Sequence, residues 1–425
     1  MLEVPAILLT CVAIFGYVNG RYLKLPLTVG LVLIALISAM LVASIDNFAP
    51  DAGITNKLKV WLEGIDFNRT LMEGMLSFLL FAGALHVNLK DLIDSKLHVA
   101  TLASLGVMIS TLINGLGFYG LTQLFGIHID FLVCILFGVI VSPTDPVAVL
   151  AMLKRIKVPT RLKATIAGES LFNDGVAVVF YSMLVAIAFG GVAGGEGDAI
   201  GANAIVGFFV REAFGGALLG LISGYGAFLL LRSMDDYIVE VITTLALVTG
   251  AYTVALHLHV SGPIAMVIAG VFIGNTGRRL AMSEMTKTHL AAFWHLIDEI
   301  LNAVLFVLIG FVVIMLSHEA EVLILSVFVI LVSLLARWLA VFIPMTVLSP
   351  VAEKQKGDII ILAWAGLRGG ISVALALALP PIAEKPIILT ATYAVVVFTI
   401  LIQGLSIEPL IRRIHGGKEN LSNNL

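Results

Sequence analysis

The chain has 425 residues, 60% hydrophobic and only 12% charged, with a mean hydropathy of +1.07. Soluble proteins carry about 25% charged residues, so too few charges are present to cover a water-facing surface, and a soluble globular enzyme is ruled out. The net charge of −3 gives no basic surface for nucleic acid. Cys11 and Cys134 both fall in apolar runs, with neither metal-ligand spacing nor a disulfide framework.

In chain order, the first apolar run, roughly 4–18, follows Glu3 and no Lys or Arg. A cleavable signal has a positive flank and a small-residue cleavage site, so this run reads as a membrane helix that stays. A helix needs about 20 mostly apolar residues to cross the hydrocarbon core. Thirteen stretches qualify: 3–20, 26–45, 70–86, 97–122, 131–153, 163–190, 204–231, 237–257, 261–276, 289–316, 321–348, 358–379 and 386–411, the third and ninth being short. No loop is long enough to fold alone. The segment 191–203, GVAGGEGDAIGAN, is a Gly-rich connector. The predicted fold class is an all-α polytopic membrane protein of one domain, 1–425, with about 13 transmembrane helices.

Charge placement orients these spans. Of the 25 Lys and Arg residues, 18 fall in one set of loops, 4 in the other and 3 within spans. The positive-inside rule then puts the N-terminus outside and the C-terminus in the cytoplasm.

A charge at the bilayer centre costs about 3 kcal/mol or more, so intramembrane ionisable groups are candidates for function. Three segments concentrate them. In the fifth span, Ser142-Pro143-Thr144-Asp145-Pro146 sets an aspartate between two prolines. Each proline removes a donor and frees carbonyls of the preceding turn. Broken helix at membrane depth survives only in a protein interior or along a watery cavity. Freed carbonyls beside Asp145 would make an oxygen-rich spot suited to a hard cation. In the sixth span, Gly168-Glu169-Ser170-Leu171-Phe172-Asn173-Asp174 puts Ser170 and Asp174 on one helix face, with Glu169 and Asn173 on the next. In the twelfth, Gly366-Leu367-Arg368-Gly369-Gly370 places an arginine in a glycine-weakened helix, where a mate such as Glu169 is expected. The fifth and twelfth spans lie seven apart, as equivalent broken, crossing helices of two inverted six-helix repeats would, and such pairs mark the binding sites of secondary transporters.

Other polar groups are less telling. Glu73 is expected to reach headgroups. Asp298 and Glu299 lie deeper in the tenth span, and one of them is a candidate gate or a partner for Arg337. Glu240, Arg211 and Glu212, near helix ends, and His257 and His259 read as interfacial. His86, His98 and His415 sit in loops or at span ends.

The segments SPTDPVAV, GESLFNDGVAVV and GLRGGISVALAL resemble the monovalent cation:proton antiporter-1 family, bacterial and archaeal sodium/proton antiporters related to animal sodium/hydrogen exchangers. The resemblance spans essentially the whole chain. It implies a homodimer in the plasma (inner) membrane, with a scaffold from roughly 3–86 and 204–316 and an ion-translocating core from roughly 97–190 and 321–411. It implies that Asp174 carries proton and cation in turn, and that Na⁺ sits at Asp145, Ser170 and Asp174. Thr144 would contribute its backbone carbonyl, Asn173 would hold the assembly together, and Glu169 would pair with Arg368. No cofactor is expected beyond the transported Na⁺ or Li⁺ and H⁺, and regulation through a long cytoplasmic tail is not expected. With Asn173 in place of the second aspartate of electrogenic relatives, exchange would be one proton per cation, although Asp145 could also titrate. The alternative from another class is a cation channel or uniporter using the same carboxylates as selectivity residues, but one long chain with its polar residues at one depth lacks the symmetric ring of a pore. A carrier for an organic solute would need a more aromatic or donor-rich lining, and no HExxH, catalytic triad spacing or phosphate loop points to a membrane enzyme.

Overall fold

In lipid an apolar segment satisfies its backbone polar groups within itself, as a helix. The computed structural model describes residues 3–48, 58, 68–153, 158–189, 202–317, 319–348 and 357–415, and all its regular elements are helical. They are α1 (Glu3–Leu23), α2 (Leu27–Phe48), α3 (Leu76–Leu85), α4 (Leu89–Asp94), α5 (Lys96–Leu124), α6 (Phe131–Ile140), α7 (Val147–Leu153) and α8 (Thr160–Phe189). There follow α9 (Ala202–Ser233), α10 (Tyr237–Leu258), α11 (Gly262–Phe272), α12 (Glu284–Val312), α13 (Ala320–Val347), α14 (Asp358–Trp364), α15 (Gly370–Leu377) and α16 (Lys385–Ile414). Nine helices among the described residues are long and apolar enough to cross a membrane, and Leu76–Leu85 and Phe131–Ile140 are shorter apolar ones. The fold is that of an all-α polytopic membrane protein.

Several helix starts are written locally. Asn88, Asp130 and Asp236 each cap with a side-chain oxygen, accepting from Lys90 N, Leu132 N and Ile238 N at 2.8–2.9 Å. Ser261 caps α11, with Pro263 in its first turn, where a missing N–H does no harm.

Between helices in lipid the hydrophobic effect contributes little, and close packing of small residues takes over. Gly216 and Gly220, four apart on α9, lie against the backbone carbonyls of Ser261 and Ala265, with no room for a Cβ. The fully buried Trp294 of α12 packs at a tilt against Phe81 of α3, ring centroids 4.7 Å apart, and donates to Thr244 Oγ1 at 3.0 Å.

Two helices are interrupted, as their sequences require. After α6 the chain runs non-helically through 141–146 before α7, and after α14 it does so through 366–369 before α15. The interruptions cross each other: Asp145 N donates to Leu367 O at 2.7 Å.

Glu240 lies in the first turn of α10, near a helix end as expected, and is buried (1% exposed) beside Thr286 of α12. His98 lies at its span end as expected, buried and 3.3 Å from an Arg161 guanidinium nitrogen. Arg211 donates to Leu258 O at 3.1 Å and is exposed. Of the sequence expectations, the connector 191–201, Lys57, Lys59, Lys154, Arg155, Lys157, Lys354, Lys356 and Lys418 lie outside the described residues, as do the side chains of Arg69, Glu73 and His415.

Candidate functional site

The crossing of the two interruptions abuts the middle of α8, the helix of Glu169, Ser170, Asn173 and Asp174. All four are buried, at 1–6% exposure. Their spacing wraps them around one side of the helix. Thr144 sits against them: its hydroxyl lies 3.1 Å from Ser170 Oγ and accepts from Asn173 Nδ2 at 2.7 Å. Its backbone N approaches Asn173 Oδ1 at 3.5 Å, a long contact. The threonine hydroxyl thus joins the broken helix to α8, a side-chain role the sequence reading did not foresee.

Asp145 turns back on its own backbone, with Oδ1 accepting from Val147 N at 2.8 Å at the start of α7. Gly369 packs directly on the Asp145 side chain, and a Cβ there would overlap it. This close approach explains one of the three glycines of the twelfth span. Asp174 is different. Its Oδ1 is buried and accepts no hydrogen bond among the described residues. A buried carboxylate oxygen without a donor costs free energy.

A cavity of about 500 Å³ opens at this point. Asp174, Asp145 and Thr144 line its inner part, and Asn88, Asp91 and Lys163 line it at the helix ends. Asp298, Glu299 and Asn302 of α12 form part of its wall. Asn302 Nδ2 donates to Asp298 Oδ1 at 3.0 Å, and Glu299 lies 3.9 Å from His295 Nε2. Arg337 pairs with Glu169 instead.

The two buried arginines correct the expected pairing. Glu169 is bound by Arg337 of α13, through a bidentate pair in which Nη1 meets Oε1 and Nη2 donates to Oε2 at 3.1 Å. Arg337 Nη2 also donates to Leu362 O at 2.8 Å. Arg368, expected to take Glu169, instead donates through Nη1 to the carbonyls of Ser142 and Pro143 and through Nη2 to Ser110 Oγ at 3.3 Å. The Ser142 carbonyl loses its helical donor to Pro146, and Val147 N, which would serve the Pro143 carbonyl, donates to Asp145 Oδ1 instead. Carbonyls deprived of helical donors need others, and a guanidinium offers five in a fixed fork. Two of the freed carbonyls are thus held by Arg368.

Thr144, Asp145, Ser170, Asn173 and Asp174 come together, Glu169 beside Ser170 is held in its own ion pair, and Arg368 braces the interruption. Ser110 and Asn302 were not singled out from the sequence, and neither was the pairing of Arg337 with Glu169, because nothing local names a partner 168 residues away.

A chain whose two broken helices cross beside a buried carboxylate at the foot of a cavity has the form of a secondary transporter. The transmembrane sodium/hydrogen exchanger family matches residues 7–413, and the chain belongs to that family. It is 44% identical to the Na⁺/H⁺ antiporter NhaP of Pseudomonas aeruginosa over 98% of each chain. It is 31% identical to the Na⁺/H⁺ antiporter NhaH of Halobacillus dabanensis, covering 97% of each. The solved structure of the sodium proton antiporter MjNhaP1 from Methanocaldococcus jannaschii shares the fold, with a TM-score of 0.72 at 19% identity, covering 94% of this chain and 97% of that one.

Proposed function

We propose that the chain exchanges a monovalent cation (Na⁺, Li⁺ or K⁺) for a proton, with Asp174 carrying each in turn. The observation that carries this reading is the buried Asp174 carboxylate with an unsatisfied oxygen at the inner end of the cavity. Protonated Asp174 and cation-neutralised Asp174 can both cross a dry barrier. The empty carboxylate is penalised by desolvation, and this penalty couples the two flows. Asp145 and Ser170 would add oxygens around the cation. Thr144 and Asn173 would fix the spacing of α8 from the interruption, a role their mutual hydrogen bond supports.

The thirteen predicted spans, arranged as two inverted six-helix repeats around a linker, are consistent with interruptions at α6–α7 and α14–α15. On this topology the helix ends that carry Asn88, Asp91 and Lys163 face the cytoplasm of a plasma membrane, with the N-terminus outside. The cavity is then a cytoplasmic vestibule and the conformation inward-facing. Transport would proceed by displacement of a core (about 97–190 and 321–411) against a scaffold (about 3–86 and 204–316) that forms a homodimer. No resident cofactor takes part.

The test uses purified protein in sealed liposomes with an internal pH dye and an imposed proton gradient. Adding Na⁺, Li⁺ or K⁺ should drive proton movement in the native chain and none in Asp174→Asn. Cation entry without proton movement would favour the channel reading instead.

A further inference from the structure

At the end of the bundle where α3 stops and α12 begins, a second cavity of about 440 Å³ adjoins the first. Its charge is opposite in sign. Arg278, Arg279 and Lys287 line it, and its carboxylate, Glu284, is already engaged by Lys287 at 2.8 Å. Among the described residues no carboxylate lies within 4.0 Å of either arginine. The cup is therefore left with uncompensated positive charge.

Its floor is built rather than incidental. Asn275 accepts from Leu89 N at 2.8 Å and donates to the carbonyls of Val87 and Val271 at 2.9 Å each, tying the turn after α3 to the end of α11. A π-helical turn, Ile273–Gly277, carries the chain from α11 into the two arginines, and such turns often accompany functional sites. Outside the cup, Leu280 and Met285 are 55% and 60% exposed. Apolar side chains beside unpaired arginines at the ends of membrane helices mark the depth where headgroups meet acyl chains. Basic pockets at that depth bind anionic headgroups.

We propose that this cup binds the phosphate of an anionic membrane lipid, with Arg278 and Arg279 on the phosphate and the acyl chains along Leu280 and Met285. The site is independent of the ion path in its ligands but shares a wall with it: His86, Val87 and Asn88 border both cavities. Occupancy therefore bears on the turn that lines the vestibule.

The experiment follows the melting temperature of the delipidated full-length protein in detergent as short-chain phosphatidylglycerol, phosphatidylcholine of equal chain length, or inorganic phosphate is added. It compares the native chain with R278Q/R279Q and R278K/R279K. Phosphatidylglycerol should stabilise the native chain and phosphatidylcholine should not. The glutamine variant should need roughly tenfold or more lipid for half its effect, and the lysine variant should respond nearly as the native chain does. If the glutamine variant fails to fold, Lys287→Gln takes its place. Stabilisation by inorganic phosphate alone, with nothing added by the lipid, would overturn the lipid source in favour of a soluble anion. Equal responses of native and charge-depleted chains would overturn the site.

Discussion

Asp174 and Glu169 lie five residues apart on one helix, yet their surroundings divide their work. Glu169 is fully engaged by Arg337, while Asp174 Oδ1 has no donor among the described residues. A carboxylate locked in a bidentate pair stabilises, and one without a partner is available for chemistry. Removing one member of a buried pair leaves an uncompensated charge and costs about 3–5 kcal/mol. Arg337→Met alone should therefore lower the melting temperature sharply, and adding Glu169→Leu should recover much of it. No recovery in the double variant would mean that the pair is not the relevant contact. Thr144→Val keeps the shape of the side chain and removes the hydroxyl that links Ser170 and Asn173. An unsatisfied buried amide costs about 1–3 kcal/mol, so half-saturating Na⁺ in the liposome assay should rise roughly tenfold, with the maximal rate less affected. The site cluster was legible at this scale because most of it lies within two short segments. The partner of Glu169 was not, because Arg337 stands 168 residues away and Arg368 has the same chemistry.

The interrupted helices carry the argument at the scale of the element. Pro143 and Pro146 in one, and Gly366, Gly369 and Gly370 in the other, made both breaks readable. What the sequence could not show is that the breaks touch, since a Leu367 carbonyl meeting the Asp145 amide is a tertiary event. Gly369→Val should test the crossing. A side chain there collides with Asp145, so exchange should be lost while the protein still reaches the membrane. Unchanged exchange would show that the two segments do not approach closely. Gly220→Leu acts elsewhere, wedging α9 from α11 against the Ala265 carbonyl. It should lower the melting temperature and leave Na⁺ affinity unaltered, because neither helix contributes the clustered residues of α8 and its crossing.

For the whole molecule, composition alone established a membrane protein, and the apolar stretches located its helices. The cavity was beyond the sequence, because its walls combine α3, α8, α12 and both interruptions. One carrier carboxylate per transport cycle implies one proton per cation and no net charge moved. In vesicles clamped at different membrane potentials, rate and endpoint should therefore be independent of voltage. A rate that follows the potential would show that a second group, with Asp145 the nearest candidate, also moves a proton.

The claim at the centre of the account is that cation and proton compete for Asp174. Calorimetric titration of the purified protein with Na⁺, in buffers of different ionisation enthalpy, counts the protons released as cation binds. At a pH where the site is protonated beforehand, the account predicts about one proton released per cation bound by the native chain, and neither binding nor release in Asp174→Asn. Na⁺ binding without proton release, or release that persists in Asp174→Asn, would contradict it.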